Sequence, residues 1–254
     1  MNKDILYSVV SSFATITLNR PEKLNAFRLQ TLRELAAALK KADGDRQVRS
    51  VVITGAGTKA FCVGGDIEEM KGLTHKTAAP FIKALLAVWR AIRNSLKPVI
   101  AKVNGYCLGG GNEIQLMCDL TIASETAKFG QTGPKVGSVP LWGGTQLLPR
   151  LVGEKRAREI IFLCRQYPAT EAKAMGLVNE VVPESEIDAR VDEVCATIAR
   201  MSPQSLRLAK KSLNADVERQ LLRDARMLKE IYGSPELVEG MSAFLEKRLP
   251  RWRN

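Results

Sequence analysis

The sequence predicts an α/β protein that ends in a helical region, and three observations indicate this fold class. Up to residue 153, short segments rich in β-branched residues alternate with patterns of helical spacing. Beyond residue 153, strand patterns nearly vanish and helical patterns dominate. The chain has 254 residues, 45% of them hydrophobic, which is enough to bury a substantial core.

The chain begins with a predicted hairpin and an amphipathic helix. Residues 7–10 and 14–18 have the composition of two strands, and Asn19-Arg20-Pro21 ends the second. Apolar residues then recur at helical spacing and predict a helix over residues 28–42: Leu29, Leu32, Leu35, Ala36 and Leu39.

Strands and helices alternate from residue 49 onward. Apolar runs predict strands at 49–54, 98–103, 120–123 and 128–129, and a helical pattern covers 79–94. After residue 153 a single strand pattern remains at 177–182. The other predicted elements there are helices at 154–163, 170–175, 186–200, 203–214, 219–232 and 235–247.

The most informative segment is Gly-Tyr-Cys-Leu-Gly-Gly-Gly-Asn-Glu, at residues 105–113. Its three consecutive glycines precede a helical pattern, and N–H groups at a helix start are unpaired and carry positive partial charge. Such a turn can hold a developing oxyanion, and Glu113 follows about one helical turn later. A tight strand-to-helix connection with a solvated glutamate would give the same pattern, so both interpretations stay open.

Histidine and cysteine usage excludes several chemistries. His75 is the only histidine, it lies in a polar loop at 72–77, and no GxSxG motif accompanies it. A histidine-dependent nucleophilic mechanism is therefore disfavoured. The five cysteines form no CxxC pair, which predicts buried free thiols, no disulfide framework and no metal site.

The net charge of +11 favours an anionic partner, such as a phosphate-bearing small molecule, a nucleic acid or a membrane surface. The basic residues are spread along the chain and fit helix surfaces as well as a binding patch. No apolar run reaches membrane-spanning length, and the first residues lack the apolar core of a signal peptide. We expect a cytoplasmic protein without a membrane partner.

A dinucleotide fingerprint is the main competing interpretation. Residues 51–60, Val-Val-Ile-Thr-Gly-Ala-Gly-Thr-Lys-Ala, resemble a strand followed by GxGxxA. A true fingerprint opens a helix, whereas residues 59–65 contain two more glycines and little helical pattern. The acidic residue expected about 20 residues later is also missing, so the sequence argues against a nicotinamide or flavin site.

Five groups of short motifs follow one another along nearly the whole chain. They are Leu-Asn-Arg-Pro and Leu-Asn-Ala-Phe at 18–27; Lys-Ala-Phe-Cys-Val-Gly-Gly-Asp-Ile at 59–67; Lys-Pro-Val-Ile-Ala, the triple glycine and Cys-Asp within 97–119; Gly-Gly-Thr-Gln and Leu-Pro-Arg-Leu-Val-Gly within 143–153; and Glu-Ala, Gly-Leu-Val and Val-Val-Pro within 171–183. No single group is decisive, but the ordered set is specific, and it resembles the crotonase (enoyl-CoA hydratase/isomerase) superfamily.

The resemblance implies a fold and an assembly. The fold is the ClpP/crotonase type, a ββα superhelix core over residues 1–190 that binds acyl-CoA. Residues 191–254 would form a C-terminal helical region for oligomerisation and for covering the active site. The expected assembly is a homotrimer or a homohexamer made of two trimers.

The resemblance also implies a chemistry, namely stabilisation of an enolate at the oxygen of an acyl-CoA thioester. By motif position, the two backbone donors are Val63 and Gly110. Preorganised amides stabilise a charge that develops on one oxygen more than they stabilise the neutral ground state. No tightly bound cofactor is implied, because coenzyme A arrives as part of the substrate.

Other contacts carry over from the same motifs. Ala26, Cys62 and Gly65 match positions near the coenzyme A adenine and pantetheine, and Lys247 matches a basic residue that reaches the phosphates. Leu141 and Trp142 would shape the acyl pocket. The remaining candidates for substrate contact are Gly64, Asp66, Gly109, Thr132 and Ser138.

The acid–base residues depart from the family pattern. Glu113 matches the first catalytic glutamate of classical hydratases, but the position of the second holds Gly133. No Asp or Glu occurs from Thr126 to Gly153. A hydratase divides water activation and proton delivery between two carboxylates, so Glu113 would do both here, or another group supplies the missing function.

Residues 129–138 are similar instead to dihydroxynaphthoyl-CoA synthases and alicyclic ketoacyl-CoA hydrolases, some of which hold bicarbonate where Gly133 leaves space. Those enzymes carry an aspartate at the position of Pro140 and generally lack a glutamate at that of Glu113.

Three hypotheses follow. The first and favoured one is a hydratase for an unusual, cyclic or dienoyl, enoyl-CoA. The second is a synthase or ring-cleaving hydrolase, with single-acid isomerisation or decarboxylation also open. The third is a non-catalytic RNA-binding or protein-binding homologue, which the retained glycine motifs disfavour.

Overall fold

The computed structural model describes residues 4–215 and 217–252, which form two β-sheets and the helices around them. The strands are β1 (Ile5–Val10), β2 (Phe13–Leu18), β3 (Ser50–Gly55), β4 (Ala60–Cys62), β5 (Val99–Val103), β6 (Tyr106–Leu108), β7 (Leu120–Ser124), β8 (Lys128–Gly130), β9 (Tyr167–Pro168) and β10 (Glu180–Val182).

The α-helices are α1 (Leu29–Gly44), α2 (Ile67–Lys71), α3 (Ala79–Arg93), α4 (Gly110–Met117), α5 (Gly144–Val152), α6 (Glu154–Leu163), α7 (Ala169–Ala174), α8 (Ile187–Ala199), α9 (Pro203–Leu213), α10 (Val217–Ile231) and α11 (Pro235–Leu245). Short 3-10 turns lie at Pro21–Lys23, Gly133–Val136 and Glu184–Glu186.

The chain passes repeatedly from one sheet to the other. The larger sheet has the order β1-β2-β3-β5-β7-β10, and the smaller has the order β4-β6-β8-β9. The consecutive strands β3 and β4, β5 and β6, and β7 and β8 each place one strand in each sheet. Within both sheets these strands pair in parallel, so their carboxyl ends meet at the same edge.

The core lies between the larger sheet and the helices that cover it. All six residues of β3 are buried, as expected for a central parallel strand covered on both faces. On one face, α1 and α3 contribute apolar side chains to the main core. On the other face, α8 covers the sheet through contacts with Val52, Ile100 and Ile122.

Most predicted elements are confirmed within one or two residues. The hairpin corresponds to β1 and β2, and the helices expected at 28–42 and 79–94 are α1 and α3. The strand expected at 177–182 is shorter, because only β10 pairs with β7. Leu177 instead closes a turn onto Ala172, and the Asn179 side chain accepts a hydrogen bond from the N–H of Thr121 at 2.8 Å.

Several short elements were not predicted from the sequence. The strands β4, β6 and β9 have two or three residues each, which is too short for a periodic pattern. Helix α5 follows Gly143 and contains Pro149, and both residue types normally interrupt a helix. After β3 the chain enters a loop and then β4, so the segment with the GxGxxA pattern does not open a helix.

The C-terminal helices pack onto the same core as the first part of the chain. Val217 and Leu221 of α10 and Met241 of α11 belong to the main hydrophobic cluster. The boundary expected at residues 190 and 191 falls inside α8. Among the described residues, no helix combines the length and apolar character that crossing a membrane requires.

Candidate active site

Two glycine-containing turns lie side by side where the parallel strands β4 and β6 end. Val63 and Gly64 follow β4, and Gly109 and Gly110 follow β6. A β-carbon on Gly64 would lie only 3.1 Å from the Gly110 nitrogen. The two segments that were predicted to supply the oxyanion donors are therefore in direct contact.

The triple glycine is required by this contact. Gly109 has φ 52° and ψ −124°, a backbone conformation that residues with a β-carbon rarely adopt. A β-carbon on Gly110 would meet the Phe27 ring at 2.6 Å, and one on Gly111 would meet the Cys62 carbonyl oxygen at 2.0 Å. A side chain at Gly111 would therefore push the two turns apart, one at Gly110 would displace the Phe27 ring, and Gly109 is needed for its backbone conformation.

The two predicted donor amides are available for a ligand. Gly110 is the first residue of α4, where an N–H group has no acceptor inside the helix. Among the described residues, neither the Val63 nor the Gly110 N–H group has a hydrogen-bond acceptor. Both residues are half-buried, whereas Cys62, Gly64 and Gly109 beside them are buried.

The segment after β2 holds the first turn in place. The Phe27 N–H donates to the Gly64 carbonyl, and the Asp66 N–H donates to the Phe27 carbonyl, both at 2.8 Å. The buried Arg20 guanidinium donates to the Ala26 carbonyl at 2.6 Å and to the Asp66 carboxylate at 2.8 Å. Asp66 also caps the start of α2. Ala26 and Asp66 thus lie beside the turn, where they position its backbone.

The second turn brings Glu113 into the interior. Its side chain is buried, and Oε1 accepts hydrogen bonds from the N–H groups of Trp142 at 2.8 Å and Gly144 at 3.0 Å. Burial raises the pKa of Glu113 to about 7, although the two N–H donors lower it. Among the described residues, Oε2 accepts no hydrogen bond. The carboxyl group therefore has one anchored oxygen and one free oxygen.

Gln146 fixes the loop that supplies these two N–H donors. Its Oε1 accepts from the Gly143 N–H at 2.9 Å, and its Nε2 donates to the Leu141 carbonyl at 3.2 Å and to the buried Asp224 carboxylate of α10 at 2.8 Å. Gln146 belongs to the Gly-Gly-Thr-Gln motif but was not predicted as a site residue. The sequence could not indicate it, because its partner lies 78 residues away.

The segment after β8 completes the surroundings of Glu113. Gln131 is fully buried, and the Thr132 Oγ1 would lie 3.5 Å from a β-carbon on Gly109. Gly133 begins a 3-10 turn, where the atoms nearest to a β-carbon would belong to Ser138 and lie at 3.4 Å or more. Ser138 lines an apolar cavity of about 580 Å³ between this turn, α5 and α6.

Aromatic rings border the same region. Trp142 and Leu141 are buried, and the Trp142 ring meets the Phe27 ring edge to face at 5.5 Å. The Phe27 ring stacks on the Phe81 ring with the centroids 6.4 Å apart, and the Phe81 ring meets the Tyr232 ring edge to face with the centroids 6.0 Å apart. Burial and the nearby Glu113 charge raise the pKa of Tyr232. The sequence missed Tyr232, which directly follows α10, because a helical pattern alone does not reveal which residue at the end of a helix meets the site.

Three residues singled out in the sequence form no hydrogen bond or ion pair with Glu113. Lys247 is exposed two residues after α11 ends and has φ 54°. His75 is exposed on the loop between α2 and α3, as predicted. Cys62 lies under the first turn, and its thiol accepts a hydrogen bond from the Gly64 N–H at 3.4 Å. Burial raises the pKa of Cys62 to about 12.

Comparisons with known proteins agree with this geometry. Residues 9–254 match the enoyl-CoA hydratase/isomerase family. An enoyl-CoA hydratase from Mycobacterium avium subsp. paratuberculosis K-10 is 31% identical, with a TM-score of 0.89 over 99% of both chains. An enoyl-CoA hydratase from Bacillus anthracis is 35% identical, with a TM-score of 0.80 over 98% of both chains.

A third similar structure is an enoyl-CoA hydratase/isomerase from Xanthobacter autotrophicus Py2. It is 33% identical, with a TM-score of 0.86 over 97% of this chain and 94% of the other. The fold, the order of the motifs and the family match all indicate the same family. The chain therefore belongs to the enoyl-CoA hydratase/isomerase family of the crotonase superfamily and is an enzyme of that family.

Proposed function

We propose that the enzyme is an enoyl-CoA hydratase that adds water to an α,β-unsaturated acyl-CoA, with Glu113 as its single acid–base residue. The observation that carries this proposal is the Glu113 carboxyl group, buried beside the two glycine turns with one oxygen anchored and one free. A cyclic or dienoyl acyl group is the substrate class that we favour.

The two glycine turns supply the electrostatic part of the mechanism. The thioester oxygen would accept hydrogen bonds from the N–H groups of Val63 and Gly110, which have no acceptor among the described residues. Negative charge grows on this oxygen as the enolate forms, so fixed donors stabilise the transition state more than the substrate. Removing one such donor typically lowers the rate by about 10²–10³-fold.

Glu113 would then transfer the proton in two steps. The carboxylate takes a proton from water while the water oxygen bonds to the β-carbon, and the protonated acid returns that proton to the α-carbon. A pKa of about 7 suits both roles, because the group exists in both forms near neutral pH. We expect kcat/KM for hydration to rise with pH through about 7 and then level off, since the base must be ionised.

Replacing Glu113 by glutamine tests the assignment of the acid–base residue. Glu113→Gln keeps an oxygen for the Trp142 and Gly144 donors but cannot transfer a proton. We expect acyl-CoA binding to stay largely intact, measured by calorimetry, while turnover falls by about 10²–10⁴-fold. Unchanged turnover would eliminate Glu113 as the acid–base residue.

Isomerisation or decarboxylation is the second candidate. The observation that favours it is the lack of any Asp or Glu from residue 126 to residue 153, since both reactions can proceed with one acid–base group. Incubating linear, alicyclic and aromatic acyl-CoAs with the enzyme in H₂¹⁸O, followed by mass spectrometry, separates the candidates. Hydration adds one labelled oxygen to the acyl chain, ring hydrolysis places it in a new carboxylate, and isomerisation adds none.

The same proposal extends to the coenzyme A portion and to assembly. We infer that Lys247 and other basic side chains meet the phosphates, in line with the net charge of +11. We also infer a homotrimer or homohexamer. Large apolar side chains that are more than 70% exposed support this inference, because a monomer would leave them in water: Phe162, Leu213 and Leu249.

A further inference from the structure

Gln131 has a fully buried side-chain carboxamide. It follows β8 directly, and none of its surface is exposed. Neither its Oε1 nor its Nε2 has a hydrogen-bond partner among the described residues. Burying a polar group without hydrogen bonds is strongly unfavourable, because the group loses its hydrogen bonds to water. The side chain therefore requires a water molecule or a substrate group that bonds to it.

The position of Gln131 relative to Glu113 indicates which group bonds to the Gln131 side chain. Gln131 Nε2 and Glu113 Oε1 each lie 3.3 Å from the place that a β-carbon on Gly144 would occupy. The two atoms are thus at most about twice that distance apart, and they form no direct hydrogen bond. A single water molecule can bond to two side chains within this limit, and on the Glu113 side the oxygen left free for it is Oε2 of the same carboxylate. A buried water needs about two to four such polar partners.

We propose that Gln131 and Glu113 together hold the water that adds to the substrate, so that Gln131 does the positioning that a second carboxylate at Gly133 would otherwise do. This inference rests on the proposed hydratase function. Gln131 transfers no proton. It bonds to the water through Oε1 or Nε2 and aims the water oxygen at the β-carbon.

The step balances with the groups named. Glu113 accepts one proton of the water, the water oxygen forms the bond to the β-carbon, and the π electrons move to the thioester oxygen. Glu113 then returns the same proton to the α-carbon. One water is consumed for each hydroxyacyl product, and Gln131 itself is chemically unchanged at the end of the cycle.

A variant that keeps the shape of Gln131 but removes its hydrogen bonds tests the inference. Gln131→Met should lower kcat for hydration of an enoyl-CoA by about 10- to 100-fold, because the water is no longer aimed, with a much smaller change in KM. A second reaction isolates the role of water. Exchange of the α-hydrogen of a saturated acyl-CoA in D₂O uses the thioester site and Glu113 but adds no water, so its rate should stay within about threefold.

Two further variants make the test specific. Gln131→Glu retains oxygen acceptors, so it should recover part of the hydration rate and add a second ionisation to its pH profile. Gln115→Met removes a different buried carboxamide, which bonds to Thr121 and Leu177. It should change hydration and exchange by the same factor, because it acts only through the fold.

The outcomes separate the inference from the proposed function. If the wild-type enzyme hydrates enoyl-CoA but Gln131→Met hydrates equally fast, the inference fails while the function stands. If hydration and exchange fall together in Gln131→Met as they do in Gln115→Met, Gln131 is structural and the inference also fails. If the wild-type enzyme exchanges the α-hydrogen but never hydrates, the proposed function itself fails.

Discussion

Two opposing effects set the pKa of Glu113, and this pKa makes the stability of the fold depend on pH. Burial disfavours the carboxylate, while the N–H groups of Trp142 and Gly144 favour it, and burial dominates. A carboxyl group whose pKa rises on folding binds its proton more tightly in the folded state than in the unfolded state. Stability therefore falls as pH rises from the unfolded value of 4.5 to about 7.

Glu113→Gln should remove this pH dependence. At pH 5 the variant and the wild type should differ little in their free energy of unfolding. At pH 8 the variant should be more stable by about 3 kcal/mol, since each pKa unit corresponds to about 1.4 kcal/mol. Denaturant unfolding at both pH values measures the difference. Parallel behaviour of the two proteins would show that Glu113 ionises normally.

The close approach at Gly111 predicts a strong substitution effect. Gly111→Ala would place a β-carbon 2.0 Å from the Cys62 carbonyl oxygen, and this backbone atom cannot move without separating the turns. We expect a loss of about 3 kcal/mol or more in the free energy of unfolding. The matched control is Gly133→Ala, whose β-carbon has its nearest neighbours in Ser138, at 3.4 Å or more. It should change stability by less than about 1 kcal/mol, and equal losses in both variants would contradict the packing described.

At the scale of elements, the contact between α5 and α10 controls the Glu113 environment through Gln146. Gln146→Ala removes the bonds to Gly143, Leu141 and Asp224, so the loop that donates to Glu113 becomes less fixed. We expect a loss of about 1–3 kcal/mol in stability. The midpoint of the kcat/KM pH profile should also move above its wild-type value of about 7, because weaker donors favour the protonated acid.

Asp224→Asn is the control for this prediction. It keeps an oxygen that accepts from Gln146 Nε2, so the loop should stay in place and the pH midpoint should not move. A pH profile of Gln146→Ala that matches the wild type would show that the loop holds its position without this contact.

The predictability of the elements follows from their length and composition. The helices α1 and α3 are long enough to show a period, the strand β3 contains a continuous apolar run, and sequence reasoning located each of them within two residues. The strands β4 and β6 were missed, although they precede the two glycine turns, because each has only three residues and runs directly into a glycine-containing segment. Their motifs, rather than their periodicity, indicated the candidate site.

At the scale of the whole molecule, the residues that meet at the site come from segments distant in the sequence. Motifs predicted that Val63, Gly110 and Glu113 belong together, and the adjacent ends of β4 and β6 bring their segments into contact. Gln131 and Tyr232 could not be predicted in the same way. Their roles depend on burial and on neighbours that only the packed chain reveals.

The exposed apolar side chains predict the oligomeric state. Light scattering should give a mass three or six times that of the 27.9 kDa chain. Phe162→Asp combined with Leu249→Asp should shift the mass toward one chain, because charged groups would be buried at a contact between copies. Lys40→Asp, a substitution on an exposed polar surface of α1, should leave the mass unchanged. A wild-type mass of one chain would overturn the expectation.

The net charge of +11 favours a contact between a basic side chain and the phosphates of coenzyme A, and Lys247 is our candidate for it. Lys247→Ala should raise KM for an acyl-CoA by about threefold to tenfold, because a charged contact to phosphate is lost. KM for the matching acyl-pantetheine, which lacks the nucleotide, should stay unchanged, and added salt should reduce the difference. Lys211→Ala serves as the exposed control. Equal effects on both substrates would exclude a phosphate contact for Lys247.

The protonation state of Cys62 decides how fast its sulfur would react with an electrophilic substrate. An enoyl thioester is an electrophile that thiolates attack at the β-carbon, and thiols react far more slowly. Cys62 lies directly under the turn that would receive this electrophile, but burial holds its pKa near 12. At neutral pH the sulfur is therefore almost entirely a neutral thiol. Under the proposed function, the same enclosure that packs the two turns together would protect the enzyme from alkylation by its substrate.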